Sequence, residues 1–290
     1  MMLAVLLGIL IASGRVYGNA ALRGVLTGYV EVIRGTPLLL QLFVLYFGLA
    51  IESNNTVLES SPLYRAHYRE AWARYDRRQA ALLLDQIGLK RGRDGIRKLP
   101  DGRPLEIIVE TAGESTEQTD VLELIRETWR EVGIKLYSKP SQREAFRMRI
   151  FSGETLMSAW SGLDNGLPTA ETSPEELAPT NQVQLQWPKF GQYWETSGRA
   201  GAVPDISEVQ ELVDLYRAWR AAATSEERSR IWHRMLEIHA EQQFTIGVIT
   251  GVPQPVVARE TLMNVPQQGF YNWDPGAFFG MYRPDTFWFR

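Results

Sequence analysis

The three histidines, and the adjacent acids Glu175 and Glu176, are candidates for metal binding or acid–base catalysis. His233 and His239 lie six positions apart on one predicted helix, so they point to different faces and cannot share a metal ion. His67 stands apart from both. Glu175 and Glu176 follow a Ser-Pro pair, which is typical of a helix start, and no further acid lies where a catalytic carboxylate pair requires one. These residues favour structural roles.

Other signatures of catalysis are also missing from the sequence. There is no cysteine, which excludes thiolate nucleophiles, disulfides and cysteine-based zinc sites. We find no nucleophile-elbow serine and no glycine-rich phosphate loop, so the chain does not read as a hydrolase or an ATPase. The net charge is -3 and the basic residues form no stripe, which argues against nucleic acid as a partner. We therefore expect no enzymatic activity, no metal and no cofactor.

Two uncharged apolar stretches dominate the beginning of the chain. Met1–Ser13 and Leu38–Ile51 are each shorter than the roughly 20 residues that cross a bilayer, although the second reaches that length if it extends from Thr36 into "ESNN". The connection between them carries one acid and three basic residues, Arg15, Arg23 and Arg34. By the positive-inside rule this connection is cytoplasmic, which places everything after about residue 52 outside the cytoplasm.

Two other interpretations of these stretches stay open. A signal peptide is one, but its positive charges precede the apolar run, whereas here they follow it. The other is a pair of buried helices in a soluble protein, which runs of this length allow.

The stretch "YVEVIRGTPLLLQLFVLYFGL" resembles the signature of permease subunits of polar amino-acid ABC transporters, and the resemblance covers about residues 3–50. It implies a membrane segment over residues 1–53, with one or two transmembrane helices, and a linker over 54–61. Pro37 suits the first turn of a new helix, and Gln41 suits a helix–helix contact in a bundle. The family's cytoplasmic coupling loop has no counterpart after Ile51, so this segment cannot form a translocation path alone.

The remainder of the chain alternates between helix and strand patterns, which predicts a largely parallel sheet. A helix with apolar residues at helical spacing stops at Gly88, and a strand follows over Leu105–Glu110. Next come an amphipathic helix in "TEQTDVLELIRETWREVG", a strand in "IKLYS" and a third strand over Thr155–Trp160. Further on, Thr224 and Glu227 form a capping box, followed by a helix and an apolar strand in "FTIGVIT".

This order resembles the C-terminal part of the extracellular solute-binding proteins of family 5, the peptide and nickel binders of ABC importers. The matching stretches, all between about Tyr75 and Thr169, are "YDRRQAALLLDQIGL", "RDGIRKLPDGRPLEIIVET", "LIRETWREVGIKL" and "SGETLMSAWSGLDNGLPT". The later "TSEERSRIWHRMLEIHAEQQFTIGVIT" resembles that family's helix and strand near its end. The resemblance implies an α/β fold, a periplasmic-binding-protein-like lobe with a mixed sheet and helices, over residues 62–290.

The resemblance also implies three ligand-binding residues. Asp164 matches a family aspartate that meets the α-ammonium group of a peptide, and its neighbours here are Trp160 and Asn165. The loop is spaced differently from the family pattern, and Leu167 stands where a second acid is often found. Asp164 reads equally well as a turn residue, and a Trp at the end of a buried strand reads as core.

We therefore interpret the chain as a hybrid: a truncated permease-like membrane segment, followed by an incomplete solute-binding domain on the extracytoplasmic side. The expected partners are a small peptide or another small solute, the membrane, an ABC permease and, through it, the ATPase subunit. The expected location is the inner (cytoplasmic) membrane, with the C-terminal domain periplasmic or extracellular. The alternative is a membrane-anchored structural or interaction domain without a solute.

Overall fold

The computed structural model describes residues 19, 21–22, 24–27, 51–251, 256–270 and 282–290. Apart from Ile51, both apolar stretches lie outside this range, and so do the transmembrane helices predicted from them. Within the described parts of the chain, no helix combines the length and apolar character that crossing a membrane requires.

The chain divides into two compact units, one of residues 1–51 and 249–256 and the other of residues 52–248 and 257–290. In the first unit, residues 21–22 and 24–27 are helical. The Asn19 side chain accepts the backbone N–H of Leu22 at 2.9 Å, which satisfies one of the unpaired donors at the start of that helix. The helices and strands numbered below belong to the second unit, except for residues 51, 249 and 250, which belong to the first.

The elements are numbered along the chain. The helices are α1 (Ala66–Glu70), α2 (Arg77–Gln86), α3 (Thr116–Val132), α4 (Arg143–Ser152), α5 (Pro188–Glu195), α6 (Ser207–Ala221) and α7 (Ser225–Gln242). The strands are β1 (Ile51–Glu52), β2 (Glu106–Thr111), β3 (Lys135–Pro140), β4 (Met157–Ser158), β5 (Ile249–Thr250, in the first unit), β6 (Leu262–Met263) and β7 (Trp288–Phe289). Short 3-10 turns lie at Glu175–Leu177 and Pro284–Thr286.

A three-stranded parallel sheet with the order β3-β2-β4 carries the site described below. Helix α3 connects β2 to β3, and α4 connects β3 to β4, as the alternating pattern predicts. Leu122 of α3 packs against Val109 and Leu136 on one face of the sheet. The carboxyl ends of β2 and β3 therefore lie side by side at one edge, with Thr111 opposite Pro140.

The third strand is shorter than the predicted Thr155–Trp160. Only Met157 and Ser158 pair with β2, and Leu156 is fully exposed. Because β4 is at the edge of the sheet, it has one neighbouring strand and little apolar cover. The chain leaves the sheet after Ala159, whose N–H donates to the Glu110 carbonyl at 3.0 Å.

A buried ion pair joins the middle strand to α4. Glu110 of β2 has a side chain only 5% exposed, and Arg149 donates to both of its carboxylate oxygens at 2.8 and 2.9 Å. The other cations and acids of this network lie further out, with Lys139 at 3.8 Å from Glu110 and Glu154 at 2.8 Å from Arg149. Hydrogen bonds from Arg149 lower the pKa of Glu110. This pair fixes α4 against the sheet.

The largest core cluster lies around α7, which packs against α6, α1 and the turn at Glu175–Leu177. The predicted helix start is confirmed, since the Thr224 side chain accepts the N–H of Glu227. The apolar residues at helical spacing along α7, Ile231, Met235, Leu236 and Ile238, are all buried. Within residues 54–61, which we expected to form a linker, Val57 is buried in the same cluster.

The predicted strand "FTIGVIT" is confined to Ile249–Thr250, so the prediction is wrong for residues 244–248. Ile246 and Val248 are about half exposed, at 56% and 50%, and the apolar run therefore does not mark a buried strand. At Gly247 the chain passes so close to residues 53–55 that an added Cβ would lie 2.3 Å from the Asn55 nitrogen. Close approach of another backbone is one of the contexts in which glycine interrupts a strand pattern.

Candidate ligand-binding site at the carboxyl ends of the parallel strands

An open depression of about 500 Å³ lies beyond the carboxyl ends of β2 and β3. It is lined by Ala112–Glu114, which follow β2, and by Pro140–Glu144, which end β3 and begin α4. Ligands of open α/β sheets bind outside the carboxyl ends of the strands, because the loops there converge on one edge. The depression therefore lies where this architecture places a ligand.

A charged pair spans the depression. Arg143, the first residue of α4, donates from Nε to the two carboxylate oxygens of Glu114 at 2.8 and 3.1 Å and also from Nη2. The side chains are 49% and 51% exposed, so both remain accessible to a solute. The hydrogen bonds from Arg143 lower the pKa of Glu114, and those to Glu114 raise the pKa of Arg143. Both groups are therefore charged at neutral pH.

Trp160 lies beside this pair. Its ring stacks on Phe146 of α4, with centroids 5.7 Å apart and planes at 20°, and the Arg143 guanidinium carbon lies 5.7 Å from its centroid. Phe146 is fully buried, whereas Trp160 is 41% exposed. Trp160 therefore packs on a buried ring and is also accessible to solvent, so its role as core or as a ligand contact stays a prediction. Such a ring can stack on a planar or apolar part of a ligand.

Asp164 and Asn165 lie in the loop that follows. Asp164 is exposed, and its backbone N–H donates to Glu176 Oε2 at 3.2 Å. Asn165 Oδ1 accepts the N–H of Leu167 at 2.9 Å, which is the Asx turn expected of Asn beside Gly. Asn165 therefore has a turn role, and any contact between its amide nitrogen and a ligand stays a prediction.

Three contacts hold this loop against the segment that follows β1. Asn55 Oδ1 accepts the N–H of Leu163 at 3.0 Å, and Leu58 N–H donates to the Gly166 carbonyl at 2.8 Å. The Ser61 hydroxyl donates to the Pro168 carbonyl at 2.6 Å. The loop that carries Asp164 is thus fixed to the core at both of its ends.

The histidines have structural surroundings. His239 is buried and its Nε2 lies 2.8 Å from the Leu177 carbonyl oxygen, while His233 Nδ1 lies 3.1 Å from the Tyr68 hydroxyl. His67 Nε2 lies 2.7 Å from a Glu237 carboxylate oxygen. Burial lowers the pKa of both His233 and His239. Among the described residues, no group of three or more His, Cys, Asp or Glu side chains is arranged to hold a metal ion.

The three residues predicted from the sequence, Trp160, Asp164 and Asn165, are not among those that line the depression, and their contact with a ligand stays a prediction. Trp160 contacts Arg143, which does line it. Arg143 and Glu114 were not predicted as site residues. A usable signal was present, because both residues come within three positions of the end of a strand in a parallel sheet. Because β2 and β3 are neighbouring parallel strands, residues that follow their carboxyl ends are expected to lie close together.

Comparison with known proteins identifies a family that part of this chain resembles. Residues 43–182 match the model for bacterial extracellular solute-binding proteins, family 5 Middle. This stretch, a little under half of the chain, is similar to the middle domain of that family. The matched family consists of binding proteins rather than enzymes, which confirms the prediction that the chain is not an enzyme. No curated protein matches the sequence.

Solved structures support the same fold. The oligopeptide-binding protein OppA is 24% identical with a TM-score of 0.65, over 77% of this chain and 37% of that one. AppA from Bacillus subtilis, in complex with a nonapeptide, is 13% identical with a TM-score of 0.55, over 84% and 43%. The periplasmic binding protein MelB from Agrobacterium fabrum C58, in complex with stachyose, is 16% identical with a TM-score of 0.54, over 69% and 29%. The chain thus spans less than half the length of each of these proteins.

These matches confirm the periplasmic-binding-protein-like α/β fold and the family 5 resemblance. They give no support to the permease resemblance of residues 3–50, because the family 5 match begins at residue 43, inside that stretch. The three structures named above include binders of peptides and of an oligosaccharide, so the fold alone does not identify the solute.

Proposed function

We propose that this chain is an extracytoplasmic solute-binding component of an ABC-type importer and that its solute is peptide-like. The observation that carries the proposal is the depression at the carboxyl ends of β2 and β3, with the Glu114–Arg143 pair and the exposed Trp160 ring beside it. It lies within a stretch that matches the family 5 model. A charged pair next to an exposed aromatic ring suits a small solute with both polar and apolar groups.

In this proposal Trp160 contacts an apolar part of the solute, and the Asp164 carboxylate accepts a hydrogen bond from an ammonium group. The Asn165 side chain supplies a further polar contact. The solved relatives are more than twice as long as the matched part of this chain, so this lobe provides one wall of a cleft. We expect this lobe to bind the solute weakly, and we expect the affinity to increase when a second lobe closes over the cleft.

The proposal includes delivery of the solute to an ABC permease, which the ATPase subunit drives. It also includes a permease-like membrane tether in residues 1–53, with the binding domain on the periplasmic or extracellular side. A tether raises the effective concentration of the receptor near its transporter. The tether is tested with reporter enzymes fused after residue 30 and after residue 290. The proposal expects cytoplasmic reporter activity from the first fusion and extracytoplasmic activity from the second.

Solute binding is tested by a thermal-shift screen of the full 290-residue chain against dipeptides, oligopeptides, amino acids and oligosaccharides. A ligand that binds only the folded state raises the melting temperature. We expect the increase to be smaller in Asp164→Asn and in Trp160→Ala. The matched controls are Asp214→Asn and Trp288→Ala, which alter exposed side chains of the same types on α6 and β7.

An unchanged melting temperature with every solute, in a chain that melts cooperatively, would contradict the proposal. It would favour a structural or interaction domain without a solute.

A further inference from the structure

We propose that Glu114 and Arg143 form a subsite for a zwitterionic head group, in which one carbon carries both an ammonium and a carboxylate. The inference rests on the proposed solute-binding function. It replaces the general peptide-like class with free α-amino acids, which carry the same ammonium and carboxylate groups as the ends of a peptide. A long peptide, by contrast, separates its two terminal charges by several residues.

The hydrogen bonding of the pair leaves room for such a head group. Arg143 uses Nε and Nη2 to bind Glu114, and Nη1 makes no hydrogen bond within the described residues. A guanidinium has five N–H donors, so this remaining edge can bind a second carboxylate. The Glu114 carboxylate has lone pairs beyond those used by Arg143 and can accept hydrogen bonds from an ammonium group. The ligand therefore binds without separating the pair.

The charges around the depression favour a ligand with both signs. Two carboxylates, from Glu114 and Glu144, and one guanidinium, from Arg143, line the same space. A ligand with only a negative charge meets both acids, and a ligand with only a positive charge meets the guanidinium. A zwitterion can place its carboxylate beside Arg143 and its ammonium beside Glu114. A site with both charges therefore discriminates against ligands that carry only one.

The surroundings of Arg143 distinguish this pair from an ordinary surface ion pair. Arg143 is the first residue of α4, Glu114 follows β2, and the Arg143 guanidinium lies over the Trp160 ring. These contacts restrict the orientations of the Arg143 side chain, which lines the depression. Arg234 and Glu211 make the same two-pronged contact, at 2.7 and 2.9 Å, but on the surfaces of α7 and α6. They provide a matched control.

The test is isothermal titration of the full chain with L-phenylalanine and with L-leucine, each compared with its methyl ester and with its deaminated acid. The ester removes the negative charge and the deaminated acid removes the positive one. Each lost charge-assisted hydrogen bond is expected to weaken binding at least about tenfold. Binding of the amino acids that is no tighter than binding of both analogues would overturn the inference.

Variants assign the selectivity to the pair. Arg143→Gln should bind the amino acid and its methyl ester equally, and Glu114→Gln should bind the amino acid and its deaminated acid equally. Glu211→Gln and Arg234→Gln should bind as the wild type does. Unchanged selectivity in the Arg143 and Glu114 variants would also overturn the inference.

The same titrations separate the inference from the proposed function. If a peptide binds and neither amino acid does, the inference fails and the proposed function stands. If only an oligosaccharide binds, the inference and the peptide-like solute of the proposed function both fail. If no solute in the screen binds, both fail.

Discussion

The ion pair between Glu110 and Arg149 leads to an asymmetric prediction: loss of the arginine should cost much more stability than loss of the glutamate charge. The Glu110 side chain is 5% exposed, and after Arg149→Gln its nearest cation is Lys139 at 3.8 Å. A buried charge that loses its partner typically costs 3–5 kcal/mol. Because Arg149 is itself 35% exposed, water can enter its place, and we expect the lower end, about 3 kcal/mol.

The reverse change has a smaller cost. In Glu110→Gln, the guanidinium of Arg149 still pairs with Glu154 at 2.8 Å and is still partly exposed to water. The new amide oxygen can still accept a hydrogen bond from Arg149. We expect a loss of about 1 kcal/mol, which is typical of one net hydrogen bond. The control is Arg234→Gln, which breaks a two-pronged pair whose side chains are 45% and 39% exposed. Such surface pairs contribute about 0–1 kcal/mol.

The assay is urea unfolding of the full chain at pH 7, followed by circular dichroism, with the free energy of unfolding taken from the linear extrapolation. Equal losses for Arg149→Gln and Glu110→Gln, or a loss below about 1 kcal/mol for Arg149→Gln, would refute the reasoning. A second check uses pH. Because Arg149 lowers the pKa of Glu110 in the folded state, the stabilisation is present above the unfolded pKa and is lost as pH falls through the folded pKa. Arg149→Gln should reduce this acid-dependent loss.

Three further predictions concern the framework. Burial lowers the pKa of His239, so the free energy of unfolding should fall as pH decreases below about 6.5. His239→Gln should reduce this pH dependence, which urea unfolding at several pH values measures. Thr224→Ala should lose about 1 kcal/mol because the N–H of Glu227 loses its acceptor, whereas Thr224→Ser should retain most of it; thermal unfolding measures both. Gly191→Ala would place a methyl 2.1 Å from a backbone oxygen of the facing loop, so its melting temperature should fall sharply, and unchanged melting would contradict this packing.

Periodicity and capping predicted α2, α3 and α7 and the strands β2 and β3, because these signals are local. Thr224 and Glu227 mark the start of α7 in both sequence and structure, and Gly88 adopts a positive φ of 84° just after α2. The parallel sheet followed from alternation alone. The short β4 and the failed strand at 244–248 depend on which other segments lie nearby, and Gly247 shows this through its close approach to residues 53–55.

A parallel sheet indicates that a ligand site lies at the carboxyl ends of its strands, but the sequence does not show which side chains line that site. Trp160 was chosen through the family resemblance, whereas its 41% exposure and its contact with Arg143 depend on the three-dimensional packing. Arg143 and Glu114 are 29 residues apart, and only the parallel register of β2 and β3 brings them together. Neither residue belongs to a short motif, so sequence inspection passed over both.

The most direct test of the account is hydrogen exchange measured by mass spectrometry on the full chain, with and without the solute that gives the largest thermal shift. The account predicts slower exchange in residues 111–114, 140–146 and 159–165, which surround the depression and continue into the Asp164 loop. Exchange in α6 and in the first turns of α7 should change little, because these elements lie in the core cluster around α7, to which none of the residues lining the depression belongs. Protection confined to α6 and α7, with no change at the strand ends, would contradict the placement of the solute site.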